Sequence, residues 1–349
     1  MGLRRGAWVD TLDVRILRGL LRDKSLSPLS SDFRESLSAL SRKLHADEAT
    51  VRRRLKKFRD SGFLADWHLF VNPRLWGGGQ VSVWLDVDPA VPKRDLVEAV
   101  RLVPGVILAT ATYDCLIAIL EYDDERSVPR SVELLRRVAS TTTSFVGRIP
   151  FPECTAALRA RDWDLIRVLR RNPKRPYGEL AAEAGLSDRT VRMKLSRLTG
   201  EGALFGWPSL NFRAAEGGVC VHLVAWYPAE LKDEVDRTVT RHLEPYLWHV
   251  NHMMPYRSGD LWPCGYDLLL PNIAAAREAL TWMKDVSGVE RARLCLREDN
   301  FNFWDSYDEI LERKLSQLPS MLPRARLGVG RRRTSRSPNH ARPSSVVIR

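Results

Sequence analysis

The 349-residue chain is 44% apolar and 28% charged, carries a formal net charge of +12 and has a sequence pI near 9.8. Such a length predicts two to four domains with real cores, and the composition excludes a disordered or fibrous chain. Cys115, Cys154, Cys220, Cys264 and Cys295 are scattered, with no Cys-x-x-Cys pair and no histidine at metal-ligand spacing. They exclude a disulfide frame and predict neither a metal site nor a cofactor.

No apolar run approaches the ~18 residues of a membrane span, and MGLRRGAWVD has no signal-peptide core, so no membrane is expected and the expected compartment is the cytoplasm. The charge is unevenly placed. Pro323 to Arg349 holds eight arginines and no acid, which leaves about +4 for the rest. That segment, with Arg331-Arg332-Arg333 at its centre, reads as a basic disordered tail over 319–349.

In chain order, Val14, Leu17 and Leu21 with Ile16 and Leu20 make an apolar stripe at helical spacing. The loop Ser25–Ser31 precedes a second helix, Glu35–Leu44. After a turn at His45-Ala46, a third helix runs from its cap Asp47 to Ser61 and stops at Gly62. Phe63–Val71 reads as an extended wing, and Gly77-Gly78-Gly79 as a linker, since no capped helix or Lys-Ser/Thr follows it as a phosphate loop needs. Strands then fall at Gln80–Val87, Val106–Thr112, Cys115–Tyr122 and Ser144–Ile149, with helices at Lys93–Leu102 and Val128–Ala139.

The plan then starts again. Helices are expected at Trp163–Arg171, Tyr177–Ala184 and Asp188–Thr199, with Gly185 at the turn, Ser187 as cap, Gly202 as stop and Ala203–Asn211 as wing. Strands follow at Val219–Tyr227, Leu247–Met254, Tyr266–Leu270 and Val289–Leu296, with helices at Glu230–His242 and Ile273–Lys284 and a last helix at Asp305–Gln317. Thr50-Val51-Arg52-x-x-Leu55 recurs as Thr190-Val191-Arg192-x-x-Leu195, Gly62 as Gly202, Trp67 as Trp207, and Tyr113-Asp114 as Tyr266-Asp267. The fold class is therefore α+β: two tandem copies of a winged helix-turn-helix followed by a ferredoxin-like βαββαβ domain. The divisions are 1–72, 77–155, 156–212 and 217–304, then the helix 305–318 and the tail.

On the third helix, Val51, Leu55 and Phe58 face inward, while Arg52 to Arg59 presents six cations without an acid. A solvated face ordinarily mixes signs, so this one predicts double-stranded DNA as partner. Thr50, Arg53, Arg54, Arg189, Thr190 and Met193 are expected near bases; Arg52, Lys56, Lys57, Arg192, Lys194 and Arg197 are expected on phosphates.

Leu12-Asp13-x-x-Ile16-Leu17, Thr-Val-x-x-x-Leu in both reading helices, Pro104-Gly105-Val106, Gly265-Tyr266-Asp267 and Ser287-Gly288-Val289 together resemble the leucine-responsive regulatory protein/AsnC family of transcription factors. The resemblance covers roughly residues 10–300. It implies an ACT/RAM-like sensor for an amino acid or other small metabolite, an intrachain pseudo-dimer reading two half-sites, further homo-oligomers, and no enzymatic activity. Copy one departs from it, having Ala111-Thr112 before Tyr113-Asp114 where the family has glycine.

A second resemblance lies in Trp248-His249-Val250-Asn251-His252, with Tyr256 and Arg257 after it, which looks like the His-rich stretch of siroheme decarboxylases. It implies an arginine on a tetrapyrrole carboxylate and a histidine moving a proton. As an effector site the same region would comprise His249, His252, Tyr256, Arg257, Tyr266 and Asp267. With neither ligand, these residues are core, strand end and loop.

Overall fold

A computed structural model describes residues 10–21 and 33–317 apart from 143, 171, 216 and 258; the loop Ser25–Ser31 and the basic tail lie outside them. The chain opens with three helices, α1 (Thr11–Leu21), α2 (Leu37–Leu44) and α3 (Glu48–Asp60). Ser36 caps α2, and the Asp47 carboxylate accepts the Thr50 N–H at 3.0 Å to start α3. Between these helices His45 takes the left-handed backbone, φ 49°. In the second unit, α6 (Ala160–Leu169), α7 (Tyr177–Ala184) and α8 (Asp188–Gly200), the same turn is made by Gly185 at φ 62°. Ser187 caps α8 as Asp47 caps α3. Glycine adopts that conformation without strain, whereas a histidine there carries some cost.

The segments expected as wings do more than trail away. Strand β1 (Leu64–Val71) pairs antiparallel with β6 (Leu204–Leu210), Trp67 opposite Pro208 and Val71 opposite Leu204. This two-stranded ribbon joins the two helical units.

Each remaining half folds as βαββαβ. The first is β2 (Gly79–Asp86), α4 (Lys93–Arg101), β3 (Val106–Thr112), β4 (Cys115–Tyr122), α5 (Val128–Val138) and β5 (Ser144–Ile149). The second is β7 (Val219–Tyr227), α9 (Lys232–His242), β8 (Leu247–His252), β10 (Trp262–Leu270), α10 (Ile273–Lys284) and β11 (Arg291–Asn302), with the short β9 (Met254–Pro255) after β8. The nine strands run β8-β10-β7-β11-β3-β4-β2-β5-β9. β11 joins the halves by pairing with β3, Asn300 opposite Thr110, while β9 pairs with the far edge, Met254 opposite Arg148. Only Met253 separates β8 from β9, so the chain itself links the first strand of the series to the last. Helix α11 (Trp304–Gln317) follows; its Tyr307 hydroxyl accepts the Val71 N–H at 2.8 Å.

Alternation along the strands makes two kinds of core. Val81, Val83 and Leu85 lie under α4 and α5, and Val221, Leu223 and Ala225 lie under α9 and α10. The opposite face packs Trp84, Ile117, Val224, Trp226 and Met253 against one another between the two halves. With both faces covered, β7 and β10 are almost continuously buried, and their sequences are apolar without a clean alternation.

One recurrence in sequence is not a structural equivalence. Tyr266-Asp267 lies within β10, whereas Tyr113-Asp114 forms the turn between β3 and β4, with Tyr113 exposed. Strand register places Ile119, not Asp114, in the position of Asp267: Ser82 pairs with Ile119 as His222 pairs with Asp267.

Candidate active site

The inner face of the second half holds four polar side chains from four strands: His222 of β7, His249 of β8, Asp267 of β10 and Arg297 of β11. All four have side chains at most 12% exposed. His222 Nδ1 is 2.5 Å from Asp267 Oδ1, His249 Nδ1 is 2.7 Å from Oδ2, and Arg297 Nη2 donates to Oδ1 at 2.5 Å. Burial alone would favour a neutral Asp267, but Arg297 and His222 hold it well below the ordinary carboxylate range. Burial pushes His222 below its ordinary value, against the pull of the same carboxylate. Gly265 lets this happen, because a Cβ there would run into the His222 ring.

Both nitrogens of His249 are inside, and Nε2 has no hydrogen-bond partner; Arg297 Nε and Asn251 Oδ1 are likewise unpartnered. A buried polar atom without a partner costs about 1–3 kcal/mol, so three on one wall is a costly arrangement for packing alone. They border a cavity of about 120 Å³ whose other wall comes from the first half. There the register-equivalent residues are Ser82, Leu108, Ile119 and Ile149, all lining the same cavity.

Trp84 also lines a second, larger space, a groove of about 860 Å³ walled by Phe145, Trp226 and Tyr256 and carrying Arg136, Arg257, Arg291 and Arg293. Arg293 is engaged with Asp86 at 2.5 Å and Asp114 at 3.0 Å, and Arg136 lies 3.7 Å from Glu133. Arg291 stands 4.0 Å over the Trp226 ring, and Arg257 is exposed. Two arginines therefore face the groove without a carboxylate recorded against them among the described residues.

The six residues singled out near the His-rich stretch are divided by the sheet. His249 and Asp267 face the inner cavity, and Tyr256 and Arg257 the groove. His252 and Tyr266 lie on the other face, beneath α9, because three residues along a strand change its side. His222, Arg297, Asn251 and Arg291 escaped sequence reasoning: cross-strand register brings them together from distant segments. Glycine before Tyr266-Asp267 was the one local signal.

The reading helices are less free than their composition promised. Arg54 bonds to Asp13 at 2.9 Å and to Asp10 at 2.7 Å; Lys194 and Arg197 each reach Asp162 at 2.6 Å. Asp13 and Asp162 are wholly buried at the starts of α1 and α6, so these cations tie the third helix of each unit to the first. Arg52 with Glu48 and Lys56 with Asp60 form exposed i,i+4 pairs, and Lys57 lies near Asp13. Arg53, Arg189 and Met193 project outward; Thr190 meets Ser187, and Arg192 lies 3.9 Å over Tyr177.

A winged helix-turn-helix DNA-binding family model matches residues 158–204. No curated protein matches the chain. Among solved structures, siroheme decarboxylase NirDL is similar over 87% of this chain and 98% of its own, with TM-score 0.52 and 16% identity. Its co-complex with an iron-uroporphyrin III analogue gives 0.50 over 86% and 98%, again at 16% identity. AsnC of E. coli covers 40% of this chain and 92% of its own, at 14% identity and TM-score 0.31. At such identities the likeness defines the fold: a tandem winged-helix and ferredoxin-like α+β chain. It also corrects one expectation, that of a chain without enzymatic activity, because the fold taken over 87% of the chain is that of a solved enzyme. No helix among the described residues is long and apolar enough to cross a membrane.

Proposed function

We propose that the chain is a decarboxylase that removes CO2 from a carboxylate side chain of an iron tetrapyrrole, with His249 as proton donor. The observation that carries this reading is the buried His249 imidazole, oriented by Asp267 through Nδ1 and presenting an unpartnered Nε2 to a cavity. The likeness to siroheme decarboxylase NirDL supports it at the level of fold.

In this reading the macrocycle lies in the groove, whose 860 Å³ falls within the ~300–1,000 Å³ of small-molecule sites, while the 120 Å³ cavity admits one substituent. Arg257 and Arg291 bind remaining carboxylates by charge-assisted hydrogen bonds, and Trp226 and Tyr256 offer ring faces. Entering the apolar wall strips water from the reacting carboxylate and raises its energy. Its C–C bond then breaks, CO2 leaves, and the electron pair is delocalised into the adjoining pyrrole ring. The carbon takes its proton from His249 Nε2–H, and the anionic Asp267 stabilises the imidazolium beforehand.

The test adds iron uroporphyrin III to the purified chain and follows visible absorbance and product mass. Binding with stepwise loss of CO2 is expected. His249→Ala should keep the absorbance change and lower CO2 release by about 10²–10⁴-fold. An unchanged spectrum at saturating probe, or full activity in His249→Ala, overturns the reading.

A second reading is favoured by the family match at 158–204 and the outward Arg53, Arg189 and Met193: the winged units bind double-stranded DNA. On this reading the two units, divided from their sheets as the sequence suggests, arose by duplication and form an intrachain pseudo-dimer on two half-sites. A homo-oligomer and an amino-acid effector belong to the same reading. A gel shift against genomic fragments tests it.

A further inference from the structure

We propose that Asp236, His252 and Cys264 form a transition-metal site, matched to Zn2+, on the helix-covered face of the second sheet. The site lies across β8 and β10 from the inner cavity and is independent of the decarboxylase reading. One ligand comes from α9, one from β8 and one from β10. The three donor atoms lie within 4.8 Å of one another.

The two separations from the histidine match those of a tetrahedral ion. Bonds of ~2.0–2.1 Å to nitrogen, ~2.0–2.2 Å to oxygen and ~2.3 Å to sulfur place nitrogen about 3.4 Å from oxygen and about 3.6 Å from sulfur. His252 Nδ1 stands 3.3 Å from Asp236 Oδ2 and 3.4 Å from Cys264 Sγ. Thiolate, imidazole and carboxylate together suit zinc and leave a fourth position for water. Asp236 also has outer support. The Tyr227 and Tyr266 hydroxyls both donate to Oδ1 at 2.7 Å, which turns Oδ2 toward His252. Such bonds orient a ligating carboxylate and are worth ~10–100-fold in metal affinity.

Lys232 is the competing cation. From the first turn of α9 its ammonium donates to Asp236 Oδ2 at 2.9 Å, and its side chain is one-fifth exposed. Metal entry displaces it into solvent. The Cys264 thiol gives up its proton to the solvent as the metal–sulfur bond forms. The sequence hides this site, because His252 faces Cys264 through strand register, not through a short ligand spacing. A metal here would clamp α9 to β8, the strand that carries His249 on its other face.

The full chain would be titrated with Co2+ and with Zn2+. We expect one ion per chain, an intense thiolate-to-cobalt band in the near ultraviolet, and displacement of cobalt by zinc. Cys264→Ser should abolish the band and weaken zinc by more than the ~100-fold ceiling of an outer-shell loss; Tyr266→Phe should weaken it about 10-fold. Lys232→Ala should tighten it. His252→Ala, at a partly exposed position, supplies a second ligand deletion, and circular dichroism identifies a variant that does not fold. Absence of the cobalt band in the parent chain, or a Cys264→Ser or His252→Ala variant that folds and binds as the parent does, overturns the proposal.

Discussion

The two walls of the inner cavity occupy equivalent places in two equivalent sheets, yet one is ionic and the other uncharged. Where the second half has His222, His249, Asp267 and Arg297, the first has Ser82, Leu108, Ile119 and Ile149. The scaffold therefore does not require the charges. A sheet that folds with Ser82, Leu108, Ile119 and Ile149 in these places would fold with uncharged residues in place of the whole ionic group, and replacing a buried ion group entire with packed apolar residues is often neutral or stabilising. On the proposed reading the ionic wall serves chemistry rather than stability, and the uncharged, largely aliphatic wall opposite supplies the surroundings in which those charges act strongly.

The largest expected effect breaks that symmetry directly. Asp267→Asn removes the only carboxylate hydrogen-bonded to Arg297 and both histidines among the described residues, leaving a buried cation uncompensated; about 3–5 kcal/mol of stability should go. Ile119→Val, at the matching place, should cost about 1 kcal/mol. Denaturant midpoints measure both. Equal losses at the two positions would mean that Asp267 is no more than packing. Because the folded-state value of Asp267 is depressed, its contribution is present above the unfolded value of 3.8 and lost as the pH falls below it, so the parent should lose stability below about pH 4.

The first half carries a carboxylate of its own that titrates in the opposite sense. Glu121 is buried beside Gln80, which donates to Oε2 at 2.8 Å while Oε1 has no partner; burial raises it from 4.5 to about 7. A folded value above the unfolded one gives stability below pH 4.5 that fades as the pH rises through about 7. Glu121→Gln should therefore gain about 2 kcal/mol over the parent at pH 8 and little at pH 5, read from denaturant midpoints. A parent whose stability is flat between those values would place Glu121 in a wetter setting.

How much of this was legible in the chain depended on distance along it. Capped helices, the turns at His45 and Gly185 and the strand-helix order are local matters of cap chemistry, positive φ and apolar spacing, and they read clearly. The pairing of β1 with β6 did not, since each segment looked like a lone wing. The site was half legible. His249 stood out by composition, but only register sets it beside His222, Asp267 and Arg297 and sends His252 to the other face. The inward ties of Arg54, Lys194 and Arg197 were hidden for the same reason: their buried partners, Asp13 and Asp162, belong to other helices.

Those helices allow the finest comparison, between a cation tied inward and one turned outward on a single helix. Lys194 is bonded to buried Asp162, whereas Arg189 is exposed near the start of α8. If the second winged unit holds DNA, Arg189→Ala should lower the slope of log affinity against log salt by about 0.9, one phosphate contact, and leave the melting temperature where it was. Lys194→Ala should do the reverse, lowering the melting temperature while the slope stays constant, since its charge is already spent on Asp162. Identical slopes for both variants would show that the exposed arginine meets no phosphate, and the family match at 158–204 would then describe a shape without its usual use.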